Sequence, residues 1–165
     1  MGNDWKLKIE EYGEINFTKS LLERLGHFRQ LRATAPEAGG ILIGQYSEPA
    51  GRLTINQFTS PQKTDLQSRT GFFRSSEHSK LANKIWLDSN GHSTYVGLWH
   101  SHPETLPNYS GCDLSDWKNA LSKSHFEGNH LLFVILGKTH IRVWSGDKKS
   151  PKLTVKLIGE YKFGN

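Results

Sequence analysis

The sequence predicts an α+β, or mixed α/β, fold. Three observations carry this. Short runs of β-branched and aromatic residues recur between about residues 41 and 161, and three segments place apolar residues at helical spacing. The two kinds of element follow one another without regular strand-helix alternation. At 165 residues the chain is expected to form one domain, 1–165, since a core of this size buries roughly 70% of the unfolded surface.

The first helical segment, 17–32 ("FTKSLLERLGHFRQLR"), carries Leu21, Leu22, Leu25, Phe28 and Leu31 on one face, with Thr18 or Ser20 as N-cap. "TAPEAGG" at 34–40 breaks the pattern. "ILIGQY" and "RLTINQF" then read as two strands joined around "SEPAG". The polar stretch 59–71 shows no sustained period and is expected to be a functional or mobile loop.

A second helix is expected over 75–91, capped by Ser75 or Ser76, with Leu81, Ile85 and Trp86 as its apolar stripe and Asn90-Gly91 as its stop. "STYVGLWHSH" is a strand and "DLSDWKNALSKS" starts a third helix. Three strands close the chain: "HLLFVILG", "KTHIRVWSG" and "KLTVKLIGEY". The first is apolar enough to belong at the sheet centre.

Hydrophobic residues make up 35% of the chain and include five tryptophans, enough for a packed core. The single cysteine, Cys112, excludes an internal disulfide framework and fits a reducing compartment. No stretch has the length of a signal-peptide core or a membrane span, and Lys6 stands where a myristoylation pattern needs Ser or Thr. A cytoplasmic protein with no membrane partner is expected. The net charge of +5 comes from scattered residues, and the densest basic stretch, 146–157, reads as a turn followed by an alternating strand. A nucleic-acid partner is not expected, because no recognised motif or aromatic-basic interleaving is present.

The stretch "GLWHSHPETLPNYSGCDLSDW", 97–117, concentrates the chemistry. If it is extended up to His102, His100 and His102 project to one face, because strand side chains alternate with period two. Two imidazoles on one face can chelate one ion. Ser110 and Asp113 have the spacing of a capping box, and Asp113 also offers a carboxylate, with ten residues between it and His102. Capping and liganding can be one event. Three protein ligands of this type leave one position of a tetrahedral ion open, as in catalytic rather than structural zinc sites, where a bound water reaches a pKa of about 7. A general base is still needed. Spacing does not select one among the ten glutamates, and Glu104, after Pro103, is expected on the loop surface.

His100-Ser101-His102, seven residues, Ser110, two residues and Asp113, with "PEAGGILIG" upstream, together resemble the JAMM signature of JAB/MPN-domain metalloproteases. The resemblance extends in element order from about residue 15 to 145. It implies an MPN/JAB-like fold of cytidine-deaminase-like architecture, with a central mixed β-sheet flanked by helices. It implies one Zn2+ per chain on His100, His102 and Asp113, with Glu37 as the proton-transferring base and Ser110 stabilising the oxyanion. Glu37 directly precedes Ala38-Gly39-Gly40 and a strand, so its backbone can pass close to a neighbouring element. Without the resemblance it would read as an exposed acid in a turn.

Members of this family hydrolyse the bond between a ubiquitin-like C-terminus and a lysine amine, or an equivalent peptide bond. The chain looks most similar to compact bacterial members. Some accompany CBASS anti-phage operons and remove a cGAS-like nucleotidyltransferase from target lysines, and others accompany ubiquitin-like conjugation operons. The implied partners are therefore such a conjugated C-terminal tail and an E1/E2-type conjugating enzyme of the same operon. The resemblance implies that the loop from Thr59 to Arg74 holds the tail, with Arg69, Gly71, Phe72 and Phe73 of "RTGFFR" pairing with it as an added strand. Phe72 and Phe73 can equally be core residues.

Two rival readings remain at this level. Cys112, in the first turn of a helix, could be a nucleophile with His100 or His125 as base. The chain could also be an inactive MPN-type scaffold, although every motif position is filled. Trp99 and Trp117 read as packing residues, and the remaining histidines as surface or satisfied core groups.

Overall fold

A computed structural model describes residues 2–10, 13–47 and 51–164. The chain after the first helix folds as the alternating and apolar runs require. Strands β3 (Gly39–Tyr46) and β4 (Arg52–Phe58) pair antiparallel, and the turn that the sequence places around "SEPAG" lies largely outside the described residues. Strand β7 (Thr94–Ser101) pairs antiparallel with β3 and parallel with β8 (His130–Leu136). β9 (His140–Asp147) and β10 (Val155–Lys162) follow in antiparallel order.

Two further strands were not legible in the sequence reading. β1 (Trp5–Ile9) and β2 (Gly13–Phe17) form an antiparallel pair that joins the sheet through a parallel contact between β2 and β4. The eight-stranded order is β1-β2-β4-β3-β7-β8-β9-β10. β8 thus lies inside the sheet beside central β7, with six of its seven residues buried. The sheet curls until its edges meet, with Trp5 5.4 Å from Tyr161 between ring centroids.

Each sheet face carries its own core. One holds Phe17, Leu42, Trp99 and Val134 against Leu21, Leu22 and Leu25 of helix α1 (Lys19–Gly26). The other packs Ile41, Leu98, Phe133 and Ile135 against Trp117 and Leu121 of helix α3 (Gly111–Lys123). Trp99 and Trp117 are both fully buried, as packing residues should be.

The helices differ from expectation in instructive ways. Thr18 caps α1 by accepting the Leu21 amide at 3.2 Å, but the helix ends at Gly26 and not near residue 32. Beyond it Phe28 packs on Phe58 and Trp99, Gln30 turns inward, and Leu31 is exposed. Helix α2 (Glu77–Asp88) starts after Ser76, which makes no side-chain cap. Its Leu81 and Trp86 reach solvent, and the residue it buries is His78. Asn90 and Gly91, both at positive φ, end it as expected.

The segment 59–71 is not structureless. Thr59 is buried, and β5 (Leu66–Ser68) with β6 (Gly71–Phe73) forms a two-stranded ribbon separate from the main sheet. Its stem is fixed by a buried chain of hydrogen bonds: Thr59 Oγ1 lies 2.6 Å from His78 Nδ1, and His78 Nε2 lies 2.8 Å from Asp65 Oδ2. The basic turn 148–152 presents Lys148, Lys149 and Lys152 to solvent, consistent with a solvated face.

Candidate metal centre and active site

Alternation along β7 places Leu98 and His100 on the α3 side of the sheet and Trp99 and Ser101 on the α1 side. His102 follows at the strand end, its amide donating to Leu136 O at 2.9 Å. The two imidazoles meet, with Nε2 of His100 3.0 Å from Nε2 of His102. The loop 103–109 then returns the chain so that α3 begins directly over the strand end.

At that helix start both expected roles of Asp113 coincide. Ser110 Oγ accepts the Asp113 amide at 3.1 Å and Asp113 Oδ2 accepts the Ser110 amide at 2.8 Å, a complete capping box. The same carboxylate lies 3.1 Å from His100 Nε2 through Oδ1 and 3.1 Å from His102 Nε2 through Oδ2. Donor atoms held 2.0–2.1 Å from one tetrahedral ion would lie about 3.3 Å apart. The observed separations and the two-imidazole, one-carboxylate donor set therefore fit a zinc-type cation.

Glu37 lies beside this cluster. Its Oε1 is 3.5 Å from His102 Nε2, and the residue is 4% exposed, not the surface acid that the sequence alone would suggest. Glu37, His100 and His102 form a group of donor atoms that could hold a metal ion. The glycines explain the approach. Gly39 pairs with His100, and a Cβ there would meet the Phe72 ring at 2.6 Å and Trp99 O at 2.9 Å; at Gly40 it would meet Thr59 O at 2.1 Å.

Four titrations are displaced together. Burial pushes the Glu37 carboxyl up to about 7, with Asp113 and Glu104 adding to the rise and His102 opposing it. Burial lowers His100. Burial would lower His102 too, but hydrogen bonds to Asp113 and Glu104 carry it up to about 9. Burial would raise Asp113, but the two histidines hold it well below the ordinary carboxylate range. Such clustering is a mark of functional sites.

A family model described as prokaryotic homologs of the JAB domain matches residues 19–146. The chain belongs to this family. It is 32% identical over 126 residues to a protein named CD-NTase/cGAS isopeptidase from Escherichia coli (strain TW11681), covering 76% of each chain. A protein of the same name from Pseudomonas aeruginosa is 35% identical over 130 residues, with 78% of this chain and 80% of that one covered. The solution structure of protein DSY2949 from Desulfitobacterium hafniense shares the fold, with a TM-score of 0.57 at 22% identity over 87% of this chain and 88% of that one.

The JAB-domain site also depends on residues that sequence reasoning missed. Ser101, between the histidines, faces the other way and accepts the Ala38 amide at 2.8 Å while donating to Gln30 Oε1 at 3.0 Å. Gln30 in turn donates to Ala35 O and Arg69 O. The ribbon grips the next residue: the Glu37 amide donates to Ser68 O at 2.7 Å and Gln67 Nε2 to Glu37 O at 2.9 Å. Strand alternation could have flagged Ser101, a polar side chain pointing into a core and therefore in need of partners.

Glu104 lies exposed on the loop, as expected, and from there its Oε1 reaches within 2.9 Å of His102 Nδ1. Of the "RTGFFR" residues, Arg69 sits exposed between β5 and β6, Phe72 packs on Gly39 and His78, and Phe73 is 66% exposed. Among the described residues no hydrogen bond joins these side chains to Glu37, His100, His102 or Asp113. Arg74 instead ties the ribbon to α3 by a two-oxygen contact to Asp116 at 2.9 and 3.0 Å. Cys112 is exposed, and His125 lies past the far end of α3, roughly 18 Å along the helix axis. That separation removes His125 as a base for Cys112. Among the described residues no helix is long and apolar enough to cross a membrane.

Proposed function

We propose that this JAB-domain protein is a zinc-dependent isopeptidase. It would remove a conjugated cGAS-like nucleotidyltransferase, or failing that a ubiquitin-like protein, from target lysines in the cytoplasm as part of a CBASS anti-phage system. The observation that carries the reading is the convergence of His100, His102 and Asp113 at one point, with the buried carboxylate of Glu37 beside it. The names of the bacterial relatives support the reaction class and the nucleotidyltransferase conjugate as substrate.

His100, His102 and Asp113 would hold one Zn2+. When bound, it supplies a Lewis acid that acidifies a water and polarises the scissile carbonyl. Glu37 takes the proton as water oxygen bonds to the carbonyl carbon, and delivers it to the lysine nitrogen as the C–N bond breaks. Its burial and raised proton affinity suit a group that must both accept and release that proton. Ser110 Oγ accepts the Asp113 amide, which leaves its own O–H to donate to the developing oxyanion.

Among the described residues β6 pairs only with β5, so the other edge of Gly71–Phe73 offers backbone groups for an extended tail. Arg69 and Phe73 supply exposed side chains there, while Phe72 serves the fold. A conjugating enzyme of the E1/E2 type is the expected source of the substrate.

Incubating the zinc-loaded protein with a nucleotidyltransferase-lysine conjugate and with a ubiquitin-like conjugate tests the reading. Cleavage of the first, abolished by Glu37→Gln, is expected. Cleavage of the ubiquitin-like conjugate alone would move the protein to a ubiquitin-like operon. Cleavage of neither, with zinc bound, would leave the scaffold reading.

A further inference from the structure

We infer that Glu104 is a positioning residue that locks His102 in the ring orientation and tautomer needed to present Nε2 to a metal ion. This rests on the metal reading above. Glu104 Oε1 lies 2.9 Å from His102 Nδ1, on the side of the ring opposite the cluster. A carboxylate can only accept there, so the Nδ1 hydrogen is the one retained and Nε2 is the nitrogen that gives up its proton and turns to the ion. His102 lies just beyond the last residue of β7.

The backbone shows that Glu104 is held in place and does not merely drift past His102. Glu104 O accepts the Lys138 amide at 2.7 Å, and Thr105 O accepts the Thr139 hydroxyl at 3.2 Å. These bonds clamp the loop onto the turn between β8 and β9. That turn uses Gly137, where a Cβ would meet Pro107 Cδ at 2.5 Å, Thr105 O at 2.7 Å and Glu104 O at 2.8 Å. His102 itself is tied to Leu136 O, the residue before Gly137. Histidine and carboxylate are thus fixed to the same short segment, which sets their spacing.

Carboxylates in this outer position are generally worth 10- to 100-fold in metal affinity. Glu104 is about half exposed, so its effect belongs at the lower end.

The experiment is a zinc titration of the full chain against a competing chelator, for wild type, Glu104→Ala and Glu104→Gln, with melting of the metal-free proteins alongside. Glu104→Ala is expected to bind zinc roughly tenfold more weakly. Glu104→Gln, whose amide oxygen still accepts from Nδ1, should recover most of that loss, and all three metal-free proteins should melt alike. Zinc affinity of Glu104→Ala within twofold of wild type would overturn the inference, as would a lowered metal-free melting point that accounts for the loss. If wild type itself holds no zinc, the metal reading fails first and this inference with it.

Discussion

Asp113 Oδ2 accepts the Ser110 backbone amide at 2.8 Å while lying 3.1 Å from His102 Nε2, so a residue that caps the first turn of α3 also closes the candidate metal centre. Helix capping fixes the carboxylate before any ion arrives, which lowers the ordering cost of binding.

The two partners of the capping box should separate experimentally. Ser110→Ala removes the acceptor for the Asp113 amide and should cost about 1 kcal/mol of stability. The Asp113 carboxylate remains, so zinc content should stay at the wild-type level. If Ser110 also donates to the oxyanion, turnover of that zinc-loaded variant falls by roughly 10²-fold. Full turnover would assign Ser110 to capping alone.

The Glu37 carboxyl gives a signed pH prediction. Its folded-state pKa, about 7, lies above the ordinary 4.5. The stability it contributes is therefore complete below about 4.5 and is lost as pH rises through about 7. Glutamine resembles the protonated form. Metal-free Glu37→Gln should melt a few degrees above wild type at pH 8 and close to it at pH 4, while zinc-loaded activity falls by roughly 10²- to 10⁴-fold. Equal melting points at both values would mean that burial does not penalise the charge.

His78 should matter to the site without touching it. Replacing it with Ala removes a partner of both Thr59 and the enclosed Asp65 carboxylate, which keeps the Gln62 and Ser75 amides, and should cost about 2 kcal/mol. Hydrogen exchange should then quicken first in the β5–β6 ribbon, and the grip of Ser68 and Gln67 on Glu37 should loosen. Exchange that quickens uniformly would show that the network supports the whole fold and not the ribbon.

The exposed face of the ribbon is where a substrate tail can be probed gently. Deleting 62–69 would remove Asp65, Gln67 and Ser68 and so disturb Glu37 itself. Phe73→Ser changes an exposed side chain and should leave stability within about 0.5 kcal/mol. A severalfold rise in KM at unchanged kcat is expected, and an unchanged KM would place the tail elsewhere.

The candidate site was more legible than the fold around it. A strand with period two must bring His100 and His102 to one face, and a capping box must point Asp113 back at its own helix start. Glu37 was different. Only the resemblance selected it, because its burial depends on Ser101, Gln30 and a ribbon that sequence periodicity does not announce. Trp5-Lys6-Leu7-Lys8-Ile9 does alternate, but its partners are β2 and the far edge of a curled sheet, and such long-range pairing is invisible along the chain. In α2 the predicted stripe held at Ile85, which packs on the core with Ala82, whereas Leu81 reaches solvent and the same inward face carries His78, satisfied by Thr59 and Asp65.

The central claim is that His100, His102 and Asp113 hold one metal ion. It is tested most directly by the zinc content of the purified chain beside Asp113→Ala after loosely held metal has been stripped. One zinc per wild-type chain, largely lost in the variant, is the predicted result. No zinc in either protein, or equal zinc in both, would contradict it.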